Sequence, residues 1–419
     1  MAAGQRKHLV APGEDSYAYL STTHYGDPAG AGLIRSANPG VADPPPVGKY
    51  VLIPDRPPLV PPPVGVSADV GPDECELRVN GRRFRYWKSV SLSRTFDAFD
   101  TLDFTAPMAR AAEFRDTFTP LGYQDVEALI GGRRFFKGTV MSPSAALSAD
   151  TGGSFSVGAY SRAGVLGDCT PPASAYPLQF KGASLPVIAQ ALLRPWGLVV
   201  TVGGSAGEPF RRVRLKASDK VLSFLTGLAK QRKVFLSSTP DGGLLIREGP
   251  TVGTPVARLG TGRRPGTDWG LSTDPKKVFS HLTVLRKKAR RVNSSAHTVV
   301  NDALVSLGVL RPDIVRNEDT NSAAELPAVA TALAGRMLAG AVTWTVDLPT
   351  WRDEFGAVWE PGTTVHIESA PDVFISRPTD LIIRAVQLSR TDAKTTAKLE
   401  MVLPGAFSGV LPAVFPWSP

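Results

Sequence analysis

The chain has 419 residues, 40 of them glycine and 37 proline, and carries a formal net charge of +9 with a pI near 9.6. At about 150 residues per domain this predicts two to four domains, and so much Gly and Pro suits short strands and turns better than an all-helical fold. The basic balance permits attraction to nucleic acid, anionic wall polymers or an acidic protein without choosing among them; with no apolar run of about eighteen residues and no apolar leader, the expectation is a soluble, cytoplasmically made protein without a membrane-spanning segment.

Residues 1–57 form the first predicted module. His8-Leu9-Val10 starts a strand, Pro12-Gly13-Glu14-Asp15-Ser16 a turn, and DSYAYLSTTHYG a helix ending at Tyr25-Gly26. AGLIRSANP follows, ending at Asn38-Pro39, and YVLIP closes with a strand. Asp15 or Ser16 can cap the first helix, Gly26 can end it, and Pro39 stops the second. This order resembles a LysM domain, with Glu14-Asp15-Ser16 in place of the usual Asp-Thr. The resemblance implies a βααβ fold with contact residues at Gly13, Asp15, Tyr25 and Asn38. Residues 58–72 are predicted as a linker, since RPPLVPPPVGV holds five prolines and favours an extended, stiff chain.

Residues 73–170 are expected to be a first β-barrel domain. Leu77 and Val79 alternate with polar neighbours, Asn80-Gly81 supplies the positive φ angles of a two-residue hairpin, and alternation resumes at Phe84 and Tyr86. After Trp87, Val90 and Leu92 alternate with Ser89, Ser91 and Ser93, and the strand continues toward Arg94 and Phe96. LDFTAP, VEALI, RRFFKGTV and FSVGAYSR give further strands, and GRRF at Gly81 and Gly132 marks two hairpin corners.

Residues 171–250 contain a duplicated strand-helix-strand unit and are predicted as a small α+β domain. Leu185, Ile188 and Leu192 follow helical spacing behind a Ser184 cap. Val221, Leu225 and Leu228 do so behind Ser218, with Asp219 favouring the helix N-terminus. Residues 251–419 return to β, as a second barrel domain with a helical insertion in which Val329, Leu333 and Met337 share a face. HLTVLRK, WTVDLP, TVHIES and a closing hairpin LIIRAVQLSRTDAKTTAKLEMVL are its strands. The densest basic run, Arg286 to Arg291, is a solvated strand end and turn. The fold class is therefore mainly β with α+β.

Convergent reactive groups are scarce. His8, His24, His281, His297 and His366 have no metal-ligand spacing, Cys75 and Cys169 are expected as free thiols, and no nucleophile elbow or phosphate loop occurs. Acidic pairs such as Asp97 and Asp100, or Asp353 and Glu354, could serve a glycosidase but also fit strand connections. No catalytic residue, cofactor or metal is expected, and the chain is not expected to be an enzyme.

From about 75 to 408 the sequence resembles the baseplate-hub proteins of contractile-tailed phages, the Mu-like group. The resemblance rests on LRVNGRRFRYWKSVSLSRTFDAFDTLDF, the paired helix units, VTWTVDLPTWRDEFGAVWEPGTTVHI and the ending LEMVLPGAF. Its motif positions are Asn80, Gly81, Trp87, Ser93, Arg94, Trp351, Arg352, Trp359, Pro361 and Gly362. It implies two tail-tube-like barrels per subunit, so that a homotrimer makes a pseudo-sixfold ring in the virion baseplate, assembled in the host cytoplasm. Partners would be the tail tube or a tube initiator, the central spike and baseplate wedge proteins, with DNA passing through the bore. The alternative is a peptidoglycan-binding accessory of a tail-associated wall hydrolase.

Overall fold

The computed structural model describes residues 5–10, 16–17, 20–21, 34–35, 37–38, 41–42, 44–54, 71–107, 117–148, 152–260, 268–286, 296–317 and 323–418. The chain divides into two compact units, Met1–Val70 and Gly71–Pro419. Gly13, Asp15, Tyr25, most of the proline-rich linker and Lys287 to Arg291 lie outside the described residues.

In the first unit, β1 (Gln5–Leu9) pairs antiparallel with β2 (Tyr50–Pro54). Val10, Tyr17, Leu20, Ile34, Val51 and Ile53 form its apolar core. Asn38 is buried beside that core. Its Nδ2 donates to the carbonyls of Ile34 and Leu52 (both 2.7 Å), and its Oδ1 accepts from Leu52 N–H (2.7 Å).

The second unit is mainly β. It opens with β3 (Cys75–Val79), β4 (Arg82–Phe84), β5 (Ser89–Thr95), β6 (Thr101–Pro107), β7 (Asp125–Ile130), β8 (Arg133–Ser148) and β9 (Gly152–Ser161). Both hairpin corners form where glycine was expected. Asn80 and Gly81 have φ of 50° and 76°, Gly131 and Gly132 of 55° and 77°, the double positive φ of a tight turn.

The α+β segment follows: β10 (Gln179–Ala183), α1 (Leu185–Leu193), β11 (Val200–Gly203), β12 (Phe210–Arg214), α2 (Val221–Arg232), β13 (Val234–Ser238) and β14 (Leu244–Glu248). Its halves interlock. The first strands, β10 and β12, pair with each other, while β11 and β13 flank β14. A separate core of Leu185, Ile188, Leu192, Val221, Leu225, Leu228 and Ile246 fills the space between. Ser184 occupies the α1 N-cap without a side-chain hydrogen bond. Ser218 and Asp219 do not cap α2, whose N-cap is Lys220; Asp219 accepts instead from Lys216 N–H (3.1 Å) and closes the preceding turn.

The remaining elements are β15 (Ala257–Leu259), β16 (Asp268–Thr273), β17 (His281–Arg286), β18 (Ala296–Val300), α3 (Asp302–Ser306), β19 (Pro312–Asn317), α4 (Leu326–Ala341), β20 (Val342–Leu348), β21 (Thr364–Ile367), β22 (Thr379–Thr391), β23 (Thr395–Val402) and α5 (Gly405–Ser408). The predicted closing hairpin is present as β22–β23. The two expected barrels are not separate. A 13-stranded sheet runs β16-β20-β23-β22-β5-β6-β9-β8-β7-β3-β4, with β21 and β15 branching from β22, and no closed ring exists among the described strands. The joint is the β5–β22 ladder, Thr95↔Ala385 to Ser89↔Thr391. Alternation in β5 shows which face is buried, and carries nothing about a partner 290 residues away.

The strand HLTVLRK belongs to a small sheet, β18-β17-β19, covered by α4. The buried face of α4 is Leu326, Ala330, Ala334, Leu338 and Ala341, one position along from the predicted face; Val329, Leu333 and Met337 are only partly buried. Small residues won because the helix is crowded. A Cβ on Gly335 would lie 2.5 Å from Gly405 O and 2.8 Å from Gly409 Cα.

Candidate functional site

The β5 register places Val90, Leu92 and Arg94 on the buried face. An arginine there must find a counter-ion inside the protein. Arg94, only 6% exposed, finds two: its Nε donates to Asp100 Oδ2 (3.1 Å) and Nη1 to Glu360 Oε1 (2.7 Å). Nη2 donates to the carbonyl of Phe135 in β8, and the guanidinium lies 3.8 Å over the Phe135 ring. One side chain thus ties β5, β8, the 96–100 turn and the 359–362 turn together.

Asp100 extends the junction into the α+β segment. Its N–H donates to Ser238 Oγ (3.0 Å), whose hydroxyl donates to Ser161 Oγ (2.7 Å). From β14, Arg247 Nη2 donates to Phe96 O (3.1 Å) and its guanidinium stacks 3.7 Å over the Phe96 ring. Phe96 packs edge-on against Phe235 and Phe407, with centroids 5.4 and 5.0 Å away. Gly362, at φ +95°, lies so close that a Cβ would meet Phe96 Cε2 at 2.7 Å. Only glycine fits that approach.

Burial governs the electrostatics. It pushes the Asp100 carboxyl up to about 7 against the opposing pull of Arg94, and Asp100 Oδ1 is buried without a hydrogen-bond partner. Burial also pulls Arg247 down to about 10. For Arg94 burial acts downward too, but Glu360 and Asp100 outweigh it and hold the guanidinium charged.

Of the motif positions, Arg94 and Gly362 meet at this junction; Pro361 is buried and stands in the chain between Glu360 and Gly362, and Trp359 precedes them. Trp359 is fully buried and its indole N–H donates to Thr350 O (3.1 Å); Trp351, also fully buried, donates to Ser389 O (3.3 Å) and Thr396 O (3.1 Å). Arg352 holds the start of the unit, donating to Asp73 Oδ1 (2.7 Å), Gly356 O (2.8 Å) and Pro72 O. Ser93 sits mid-strand opposite Thr101 and Gln387. Asn80 accepts from Asp125 N–H (3.1 Å), and Trp87 lines a surface groove with Arg83, Arg85 and Arg390. These last positions do not converge on the junction.

The acidic pairs are occupied structurally. Asp97 faces Arg384, Asp353 Oδ1 accepts from Phe355 and Ala357 N–H, and Glu354 accepts from Arg258 N–H. Among the described residues no cluster of His, Cys, Asp or Glu could hold a metal ion, and both cysteines are free thiols. No described helix is long and apolar enough to cross a membrane. Sequence reasoning missed Glu360, Arg247 and the Arg94–Asp100 pairing; the available signal was a charged residue at an inward strand position.

Residues 163–248 match a family model described as the second domain of the gp44-like baseplate hub protein. The chain is similar to baseplate hub protein gp44 of Escherichia phage Mu, 24% identical over 331 residues, covering 75% of this chain and 84% of that protein. Its fold is similar to the 43 kDa tail protein of prophage MuSo2 from Shewanella oneidensis, with TM-score 0.68 and 22% identity over 80% of this chain and all (100%) of that one. A tail protein of Neisseria meningitidis has TM-score 0.65 at 20% identity, covering 80% of this chain and 98% of that one. Over residues 163–248 the chain thus matches the gp44-like baseplate hub family, and across four-fifths of its length (80%) it has the fold of phage tail proteins.

Proposed function

We propose that the protein is the baseplate hub of a contractile phage tail. The observation that carries this is the similarity to the Mu hub along most of both chains, coinciding with an interlocked α+β segment where the hub family's second domain matches. In this role it forms a homotrimeric ring of pseudo-sixfold symmetry, joining the hexameric tube to the trimeric spike and continuing the DNA channel. Two β regions joined through β5–β22 support the reading of two tube-like faces per subunit. The sheet ends at β4 and β16, unpaired on their outer sides among the described strands, where a neighbouring subunit can continue it.

Catalysis has no part in this role, which fits acidic residues spent on turns and ion pairs. The first unit is a LysM-like module that docks the hub to tail or wedge proteins. Its paired β1 and β2 suit that fold, and the three backbone hydrogen bonds of Asn38 favour a clamp over a glycan contact.

Light scattering on the purified protein, alone and with its spike protein, tests the ring. A trimer of 3 × 44.5 = 133.5 kDa in either condition supports it, and a monomer in both removes it. Retention of residues 1–57 on purified sacculi, at the level of a glycan-binding LysM, would transfer the module to peptidoglycan binding.

A further inference from the structure

A second site lies beside the junction. A cleft of about 620 Å³ opens between α2, the 97–99 turn and Arg336 of α4, within the size range of about 300–1,000 Å³ typical of ligand sites. Its floor is apolar, from Leu222, Phe235 and Leu236, and its rim carries two cations, Lys230 and Arg336.

Those cations have donors left open. Among the described residues neither side chain makes a hydrogen bond or ion pair, although Arg336 is partly withdrawn from water, which lowers its pKa. The cleft's acid, Asp97, attracts Arg336 through space and so offsets part of that burial, but it makes no hydrogen bond to it; its two oxygens face Arg384 Nε and Nη2 at 3.4 and 3.2 Å. A half-buried guanidinium with open donors is matched by a carboxylate, which it can hold bidentately.

The wall of the cleft gives a second, independent indication. Gly227 stands inside α2, where glycine costs about 1 kcal/mol relative to alanine, and an added Cβ there would touch nothing within 4 Å. Packing therefore does not explain the glycine. Its missing side chain keeps the cleft open.

We propose that this cleft binds a short peptide segment of a neighbouring protein, carrying an Asp or Glu carboxylate for Arg336 and an apolar side chain for the Leu222–Phe235 floor. Lys230 strengthens the anion preference from the exposed rim. This assignment does not depend on the hub reading, because it follows from cations with open donors, an apolar floor and an open helix wall.

The test uses the full chain and a synthetic library of short peptides with one Asp or Glu fixed two residues from a Leu or Phe, alongside the same library with Asn or Gln. Preferential retention of acidic members is expected. Arg336→Met should weaken the best binder at least tenfold and Lys230→Met less. Gly227→Leu should block it while leaving the melting temperature unchanged or raised, which separates occlusion from unfolding. Equal retention of the amide library, binding unaffected by Arg336→Met and Gly227→Leu, or no acidic peptide bound at about 1 mM would each overturn the proposal. Tighter binding of a dT oligonucleotide, lost in Arg336→Met, would also overturn it and assign the cleft to phosphate.

Discussion

Replacing Arg94 by Met tests the junction directly. The substitution removes charged hydrogen bonds to Asp100 (3.1 Å) and Glu360 (2.7 Å) and the stacking over Phe135. Glu360, with its side chain 48% exposed, can return to water and contributes little to the loss. Asp100 is 2% exposed and cannot. Stranding one member of a buried pair costs about 3–5 kcal/mol, so the expected loss lies in that range at pH 8. Asp100→Asn in the Arg94→Met background should recover at least about 2 kcal/mol. Urea unfolding of the wild type, both single variants and the double, followed by tryptophan fluorescence, gives the coupling. Additivity within about 0.5 kcal/mol would refute the pairing.

The same group sets a pH dependence. Burial raises the Asp100 pKa from 3.8 to about 7, so the folded state holds this proton more tightly than the unfolded state. Its contribution to stability is greatest with the proton bound, declines by up to about 1.4 kcal/mol per unit as pH rises from 3.8 to about 7, and is flat above. Asp100→Asn should remove that slope. Identical pH profiles for the two proteins would show that Asp100 stays ionised in the fold.

Three further outcomes follow from local packing. Gly335→Val should destabilise the second unit by about 1–3 kcal/mol in thermal melts, since its side chain would enter the α4–α5 crossing at Gly405 and Gly409. Asn38→Ala should cost about 1–3 kcal/mol and accelerate amide exchange at Leu52, whose N–H and carbonyl both lose a partner. Cys75 is buried in the β3 face and its thiol is pushed up to about 12, so it should resist a disulfide reagent at pH 8 until urea unfolds the sheet.

Local chemistry was legible in the sequence, whereas distant pairing was not. Asn80-Gly81 and Gly131-Gly132 set their hairpins because the φ angles are properties of those residues alone. The β3 and β5 faces followed from alternation, and the α1 and α2 faces from helical spacing. The face of α4 was misplaced because the helix is apolar nearly all round, and the choice fell to the close approach at Gly335, which no periodicity records. Asp219 was assigned to a helix it does not enter, since the same Asp serves a turn equally well. The junction was half visible. Arg94 and Gly362 stood among the motif positions, but Asp100 was taken for one of a pair of acids in a strand connection when its partner was six residues back, on the inward face of β5.

The junction's location explains why the core tolerates charge there. A well-packed apolar replacement is often as stable as a buried ion pair, so stability alone gives no reason for Arg94. Apolar surfaces accept small slides and rotations, whereas a guanidinium with three fixed acceptors does not. Those acceptors come from the 96–100 turn, from β8 and from the 359–362 turn, and Asp100 and Arg247 bring in β13 and β14. The two β regions and the α+β segment are therefore indexed to one another at a single point. In the hub role proposed above, two faces held at fixed spacing need that registration more than they need additional stability.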